Sequence, residues 1–175
     1  MHFSTRGRYA VMAMLDLAEM SVAGARDTKV MPVTLAQIAE RQRISLSYLE
    51  QLFGKLRKNK VVSSTRGPGG GYVLARVPAE ITLADVIDAV EEDLDITRCK
   101  TLYKLEGIHP LTGQVLEPVC AGGRKCNSHD LWAAMGAHMQ QFLTRVTLQM
   151  VLDGEVGVGH VPSPVAAVGT KVRIN

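Results

Sequence analysis

The chain has 175 residues, enough for one domain of ordinary size or a small domain with an appendage. At 46% hydrophobic and 21% charged it has a globular composition, which excludes collagen-like and wholly disordered classes. It also contains no uninterrupted apolar run of about 18 residues that would span a membrane. The net charge of +3 hides a division: residues 1–79 carry twelve Lys/Arg against five Asp/Glu (+7), and residues 80–153 carry six against eleven (−5). A basic front half on an acidic back half implies that only the front meets a polyanion. Aromatic residues, at 5%, are too few for a base-stacking RNA platform.

Residues 5–22 place Val11, Met14, Leu15, Ala18 and Val22 on one face and predict an amphipathic helix. Arg6 and Arg8 ahead of the apolar run 10–15 imitate a signal peptide. Asp16 and Glu19 interrupt the run and no small-residue cleavage site follows, so the segment is expected to stay in a cytoplasmic protein.

After a connector over 26–33, Thr34 and Gln37 predict a capping box and the start of a second, short helix with Leu35, Ile38 and Ala39 inward, ending near Gln42–Arg43. Ile44-Ser45-Leu46 then turns into a third helix bearing Leu49, Leu52, Phe53 and Leu56. Ser47 and Glu50 offer a second capping box, with Ser45 as the competing cap. A short helix, a tight turn and a second helix with a polar first turn make a helix-turn-helix, whose second helix lies in the DNA major groove. Its first turn presents Ser47, Tyr48, Glu50 and Gln51.

Lys55, Arg57, Lys58 and Lys60 follow, then the β-prone Val61-Val62-Ser63-Ser64, the turn Arg66-Gly67-Pro68-Gly69-Gly70-Gly71, and Tyr72-Val73-Leu74. Two short strands around a glycine-rich turn predict a hairpin, and a hairpin directly after a recognition helix is a wing. Gly67, Gly69 and Gly70 let the backbone approach another surface closely, and Arg66 at the base suits a narrow minor groove. A phosphate-cradling nucleotide loop is the poorer reading. No Lys-Ser/Thr follows the glycines, and a strand stands where those loops open a helix.

In the back half, Thr82 predicts the cap of a helix with Leu83, Val86, Ile87 and Val90 on one face. Asp85, Asp88, Glu91 and Glu92 are expected on its solvated side. Residues 94–127 have no periodic pattern, and a loop of that length usually serves a function or is disordered. From Ser128 a long helix to about Asp153 is predicted, with Leu131, Met135, Met139, Phe142, Val146 and Met150 as its apolar stripe. That is too much apolar surface for so small a domain, and a second copy would bury it. The Gly-, Pro- and Val-rich residues 154–175 are expected to be a disordered tail.

The three cysteines fall between positions 99 and 126, spaced Cys99-x20-Cys120-x5-Cys126-x2-His129. Three thiolates and an imidazole complete a zinc site or bridge the two irons of a [2Fe–2S] cluster, and spacing alone leaves both open. Arg124, Lys125 and the start of the long helix favour deprotonated thiols.

"STRGRYAVMAMLDLA", "ISLSYLEQLFGKLRKN", "VSSTRGPGGGY", "DITRC" and "CNSHDLW" together resemble the small dimeric winged-helix iron–sulfur regulators that control cluster assembly in bacteria, over roughly residues 1–153. The resemblance implies that Cys99, Cys120, Cys126 and His129 hold a [2Fe–2S] cluster. One departure stands out: twenty residues separate Cys99 from Cys120 where family members have a few, and the insertion brings His109 as another candidate ligand. Lengthening a flexible loop from about 5 to about 20 residues costs only about 1.2 kcal/mol of closure entropy, so the insertion need not abolish the site.

The expected fold is mostly α with a small β-hairpin wing. Residues 1–79 form a winged helix-turn-helix, 80–127 a connecting helix and cluster-binding loop, 128–153 a dimerisation helix, and 154–175 the tail. The expected function is that of a homodimeric repressor, with activation as a second mode. It binds double-stranded promoter DNA according to its [2Fe–2S] state, and a cluster-assembly scaffold is the candidate cluster donor. A zinc- or [4Fe–4S]-dependent sensor of nitric oxide or iron is the alternative within the class. A redox electron carrier, or a pure dimerisation module, is the alternative outside it. No enzymatic activity is expected.

Overall fold

The computed structural model describes residues 4–23, 31–90, 107–108, 115–116 and 128–157. Cys99, His109, Cys120, Cys126, Glu91, Glu92 and the tail from 158 onward lie outside them. As the sequence predicts, the described chain is mostly helical with a small antiparallel hairpin. Among the described residues no helix is long and apolar enough to cross a membrane.

Helix α1 (Thr5–Ala23) is the central strut, touched by the helices that follow it in the front half and by the short helix at Leu148–Leu152. Its fully buried residues are Ala10, Ala13, Met14, Leu17 and Ala18. The face is therefore rotated from the predicted one. Met14 and Ala18 are shared with it, Val11 and Leu15 are only half-buried, and Ala10, Ala13 and Leu17 take their place. A helix crowded on several sides needs small residues where neighbours approach, and hydrophobic weight alone undervalues alanine.

Helix α2 (Leu35–Gln42) begins with the expected capping box. Gln37 N–H donates to Thr34 Oγ1 at 3.3 Å, and Thr34 N–H to Gln37 Oε1 at 2.9 Å. Arg43, in the left-handed region at φ 54°, turns the chain, and buried Ile44 pins the turn to the core. Helix α3 (Leu46–Lys58) buries Leu49, Leu52, Phe53 and Leu56, as its spacing predicts. It ends with Lys60 at φ 58° and Val61 N–H donating to Leu56 O at 3.0 Å, a left-handed stop that feeds the next strand. Strands β1 (Val62–Thr65) and β2 (Gly71–Leu74) then pair antiparallel, Val62 opposite Leu74 and Thr65 opposite Gly71.

A 3-10 turn at Pro78–Glu80 leads to α4 (Leu83–Ala89), capped by Thr82 as expected. Asp85, expected on the solvated side, completes that cap instead. Its Oδ2 accepts from Thr82 N–H and from Arg76 Nη2, each at 3.0 Å. Strands β3 (Gly107–Ile108) and β4 (Val115–Leu116) pair antiparallel within the segment expected to lack pattern.

The single helix expected over 128–153 is two helices, α5 (His129–Arg145) and α6 (Leu148–Leu152). Between them Val146 is extended, and Thr147 bridges Thr82. Val146 O accepts from Leu83 N–H at 2.8 Å, and Leu148 N–H donates to Ile81 O at 2.9 Å. Ile81, Val146 and Leu148 are all fully buried here. Val146 and Leu148, with Val151 and Leu152 packed beside them, thus serve the chain's own core rather than a continuous stripe.

Candidate nucleic-acid interface

The surface that faces outward on α3 carries Ser47, Gln51 and Lys58, spaced to lie on one side of a helix, with Glu50 and Arg57 on its flank; all five are exposed. Ser45 takes the N-cap position without a side-chain cap bond, so the alternative box between Ser47 and Glu50 is not the cap. Ser47 and Glu50 sit inside the helix with their side chains outward. Tyr48 differs from them: it is half-buried and meets Tyr9 of α1 edge-on, with ring centroids 5.9 Å apart. Its ring joins α3 to α1 and leaves the first turn of α3 supported from behind.

The wing turn has a stated chemistry at each position. Gly70 N–H donates to Gly67 O at 2.9 Å, with Pro68 second and Gly69, at φ +75°, third: the residue order of a type II turn. Gly67 stands at φ +103°. A Cβ on Gly70 would collide with the Thr65 carbonyl oxygen, so the chain can close the turn only without one. Arg66 is exposed at the turn's entrance.

The wing has a support that the sequence did not reveal. Val33 pairs with Tyr72 through two backbone bonds, Val33 N–H to Tyr72 O at 2.9 Å and Tyr72 N–H to Val33 O at 2.8 Å. A Cβ on Gly71 would come within 2.6 Å of the Val33 carbonyl oxygen, so glycine is required for this approach. Pro32 holds Met31 extended, but that restriction does not reach Val33 and says nothing of what Val33 pairs with. Tyr72 also packs edge-on against Phe53 of α3 at 4.9 Å, and Arg57 Nη1 reaches Ser64 Oγ at 3.4 Å. Recognition helix and wing are therefore one body.

Behind them, Asn59 Nδ2 donates to Lys55 O and to Ala89 O, each at 3.1 Å, joining the ends of α3 and α4. Arg43 and Lys60 are both exposed and both held in the left-handed region, one before α3 and one after it. Arg57 and Lys58 are exposed on α3 and Arg66 on the wing, cations of the kind that suit a phosphate backbone.

The expected ligands Cys99, Cys120 and Cys126, with His109, lie outside the described residues. Of His129 only the backbone is described, and it is the first residue of α5 with Ser128 as N-cap. The donor set of three thiols and an imidazole fits iron or zinc, and the positive end of a helix at His129 favours thiolate close by.

A family model described as Rrf2, iron-dependent transcriptional regulator, matches residues 3–154. The HTH-type transcriptional regulator IscR of Escherichia coli is 44% identical over 155 residues, covering 89% of this chain and 82% of that protein. Among solved structures, IscR of T. potens superposes with a TM-score of 0.62 at 30% identity, covering 93% of this chain and 94% of that one. CymR, the global cysteine regulator of B. subtilis, gives 0.61 at 28% identity, covering 88% and 98%.

Proposed function

The chain belongs to the Rrf2 family of iron-dependent transcriptional regulators, and from that premise we propose that its DNA choice is set by a [2Fe–2S] cluster held by Cys99, Cys120, Cys126 and His129. It is a transcription regulator of the winged-helix type. Ser47, Glu50 and Gln51 serve the major groove, and Tyr48, expected among them, holds their turn from behind through Tyr9. Arg57 and Lys58 serve phosphates, and Arg66 with Gly67, Gly69 and Gly70 serves the minor groove. The observation that carries the DNA-facing part is the rigid union of α3 with its wing, which leaves five polar or charged side chains of α3 exposed in one patch.

The cluster part rests on the donor set and on the match to proteins named IscR. A bound cluster supplies an iron-responsive, redox-active centre at the start of α5. Three cysteines in a cytoplasmic protein, with an imidazole three residues after the last, favour the [2Fe–2S] form over a [4Fe–4S] cluster. In this reading the loaded protein represses genes of cluster assembly and receives its cluster from an assembly scaffold.

The working form is a homodimer. On α5, Leu131 is 59% and Trp132 40% exposed, with Met135 and Met139 half-buried below them, and a second copy would remove this stripe from water.

An ultraviolet–visible spectrum of anaerobically purified protein, followed by DNA binding with and without the cluster, tests the reading. The expected result is the visible absorption of a [2Fe–2S] protein and a change in DNA affinity on cluster loss. A colourless protein holding zinc, or DNA binding indifferent to the cluster, would overturn it.

A further inference from the structure

Helix α3 buries Leu49, Leu52, Phe53 and Leu56, yet it opens with a leucine that the fold does not use: Leu46 is 43% exposed. Single exposed leucines are ordinary on protein surfaces, so exposure alone says little. Position says more. Leu46 is the first residue of the recognition helix, whose first turn is the part that reaches base edges in a helix-turn-helix. Exposed Ser45 and Ser47 flank it. Glu50 stands one turn on at i+4, where helix side chains are neighbours. Tyr48, behind the same turn, is tied to Tyr9, so the turn is held in place rather than free to fold Leu46 inward.

The major groove presents one apolar group among the four base pairs, the C5 methyl of thymine. We propose that Leu46 contacts a thymine methyl within one or two base pairs of the base met by Glu50. This rests on the DNA-binding reading given above. A leucine is indifferent to charge and to the donor–acceptor pattern, so it separates thymine from cytosine by the methyl alone. The contact removes both groups from water and adds nothing to the salt dependence of binding. Glu50 and Leu46 then read by different chemistry: a carboxylate that accepts from a cytosine amino group, and an apolar tip that selects a methyl.

The test uses the full-length protein, purified anaerobically, to enrich a duplex from a random-sequence pool. Each thymine of the enriched duplex is then replaced singly by deoxyuridine, which removes the methyl and keeps the pairing edge. The wild-type protein is expected to lose about fourfold in affinity at one thymine of a half-site, the fold-change that corresponds to about 0.8 kcal/mol for one buried carbon group. Leu46→Ala is expected to bind the thymine and uracil duplexes alike, and Leu46→Met, which keeps an apolar tip, to retain a penalty. Circular dichroism checks that both variants are folded. Equal binding of every uracil duplex by the wild type overturns the proposal. So does an undiminished fourfold penalty in Leu46→Ala, and so does packing on the sugar, which would weaken all duplexes equally. Failure to enrich any duplex defeats the DNA-binding reading itself, and is told apart by that.

Discussion

Asp16 of α1, only 5% exposed, is gripped by Arg41 of α2: Nη2 donates to Oδ1 at 2.6 Å and Nε to Oδ2 at 3.0 Å. Gln42 Nε2 adds a bond to Oδ2 at 2.8 Å. A carboxylate buried in an apolar helix face is tolerated because these donors satisfy it, and they fix where the first helix of the helix-turn-helix sits on α1. The hydrogen bond to Asp16 raises the Arg41 guanidinium above its ordinary value despite its partial burial. The stability gained through that shift is fully present below the ordinary arginine value and is lost only as pH rises beyond it.

Removing one partner should therefore hurt more than removing both. Arg41→Met leaves the Asp16 carboxylate buried with Gln42 alone and should cost about 3 kcal/mol, whereas Asp16→Leu with Arg41→Met should recover much of that loss. Urea midpoints of the single and double variants measure the difference. Equal losses would mean the pair is not the clamp described.

Gly71→Ala forces a Cβ onto the Val33 carbonyl and should break the two Val33–Tyr72 backbone bonds. A cost of about 1–3 kcal/mol is expected from the buried groups left unpaired. Hydrogen exchange should speed up at the Val33 and Tyr72 amides, and DNA affinity should fall because the wing loses its seat. Unchanged protection at both amides would contradict this.

Neutralising Arg57 or Lys58, as Arg57→Gln or Lys58→Gln, should weaken binding to all DNA sequences alike. Each should also lower the slope of log affinity against log salt by about one. The check is a salt titration on a matched and an unrelated duplex. A slope equal to that of the wild type would take that residue out of the phosphate contacts.

Cys120→Ala, Cys126→Ala and His129→Ala should each reduce cluster absorbance while the far-ultraviolet spectrum and dimer mass stay as in the wild type. The stripe on α5 does not depend on ligand chemistry. Cys99 is distinguished from His109 by the same spectrum. If Cys99→Ala keeps full absorbance and His109→Ala does not, the fourth ligand comes from the inserted segment.

Glu50 lies inside α3 rather than at its cap, so Glu50→Ala should change stability by less than about 0.5 kcal/mol, the range of ordinary surface substitutions. A carboxylate in a phosphate field without a donor opposite it is a desolvated charge lacking a partner. Its loss should strengthen binding to duplexes lacking the matching cytosine, most of all in cluster-free protein. Titration against a matched duplex and one without the cytosine reads this directly; equal effects on both would exclude selection by Glu50.

What the sequence determined by itself is whatever a few neighbouring residues decide. Thr34 and Gln37 close a capping box three residues apart, the leucines of α3 recur at helical spacing, and Gly67-Pro68-Gly69-Gly70 has the residue order its turn requires. The family was legible in the same way, from short motifs. Tertiary structure decided what depends on a distant partner. The apolar pattern runs through Val146 as through any helix, but carbonyl and amide groups around Ile81 and Leu83 draw that residue into an extended bridge. Asp16 sits in the core because Arg41 and Gln42 arrive from another helix. Asp85 accepts from Arg76, and Val33 joins the wing because Gly71 leaves room. Periodicity reports how a segment would fold among average neighbours. Where a segment meets a specific hydrogen-bond partner brought close only by folding, that partner decides.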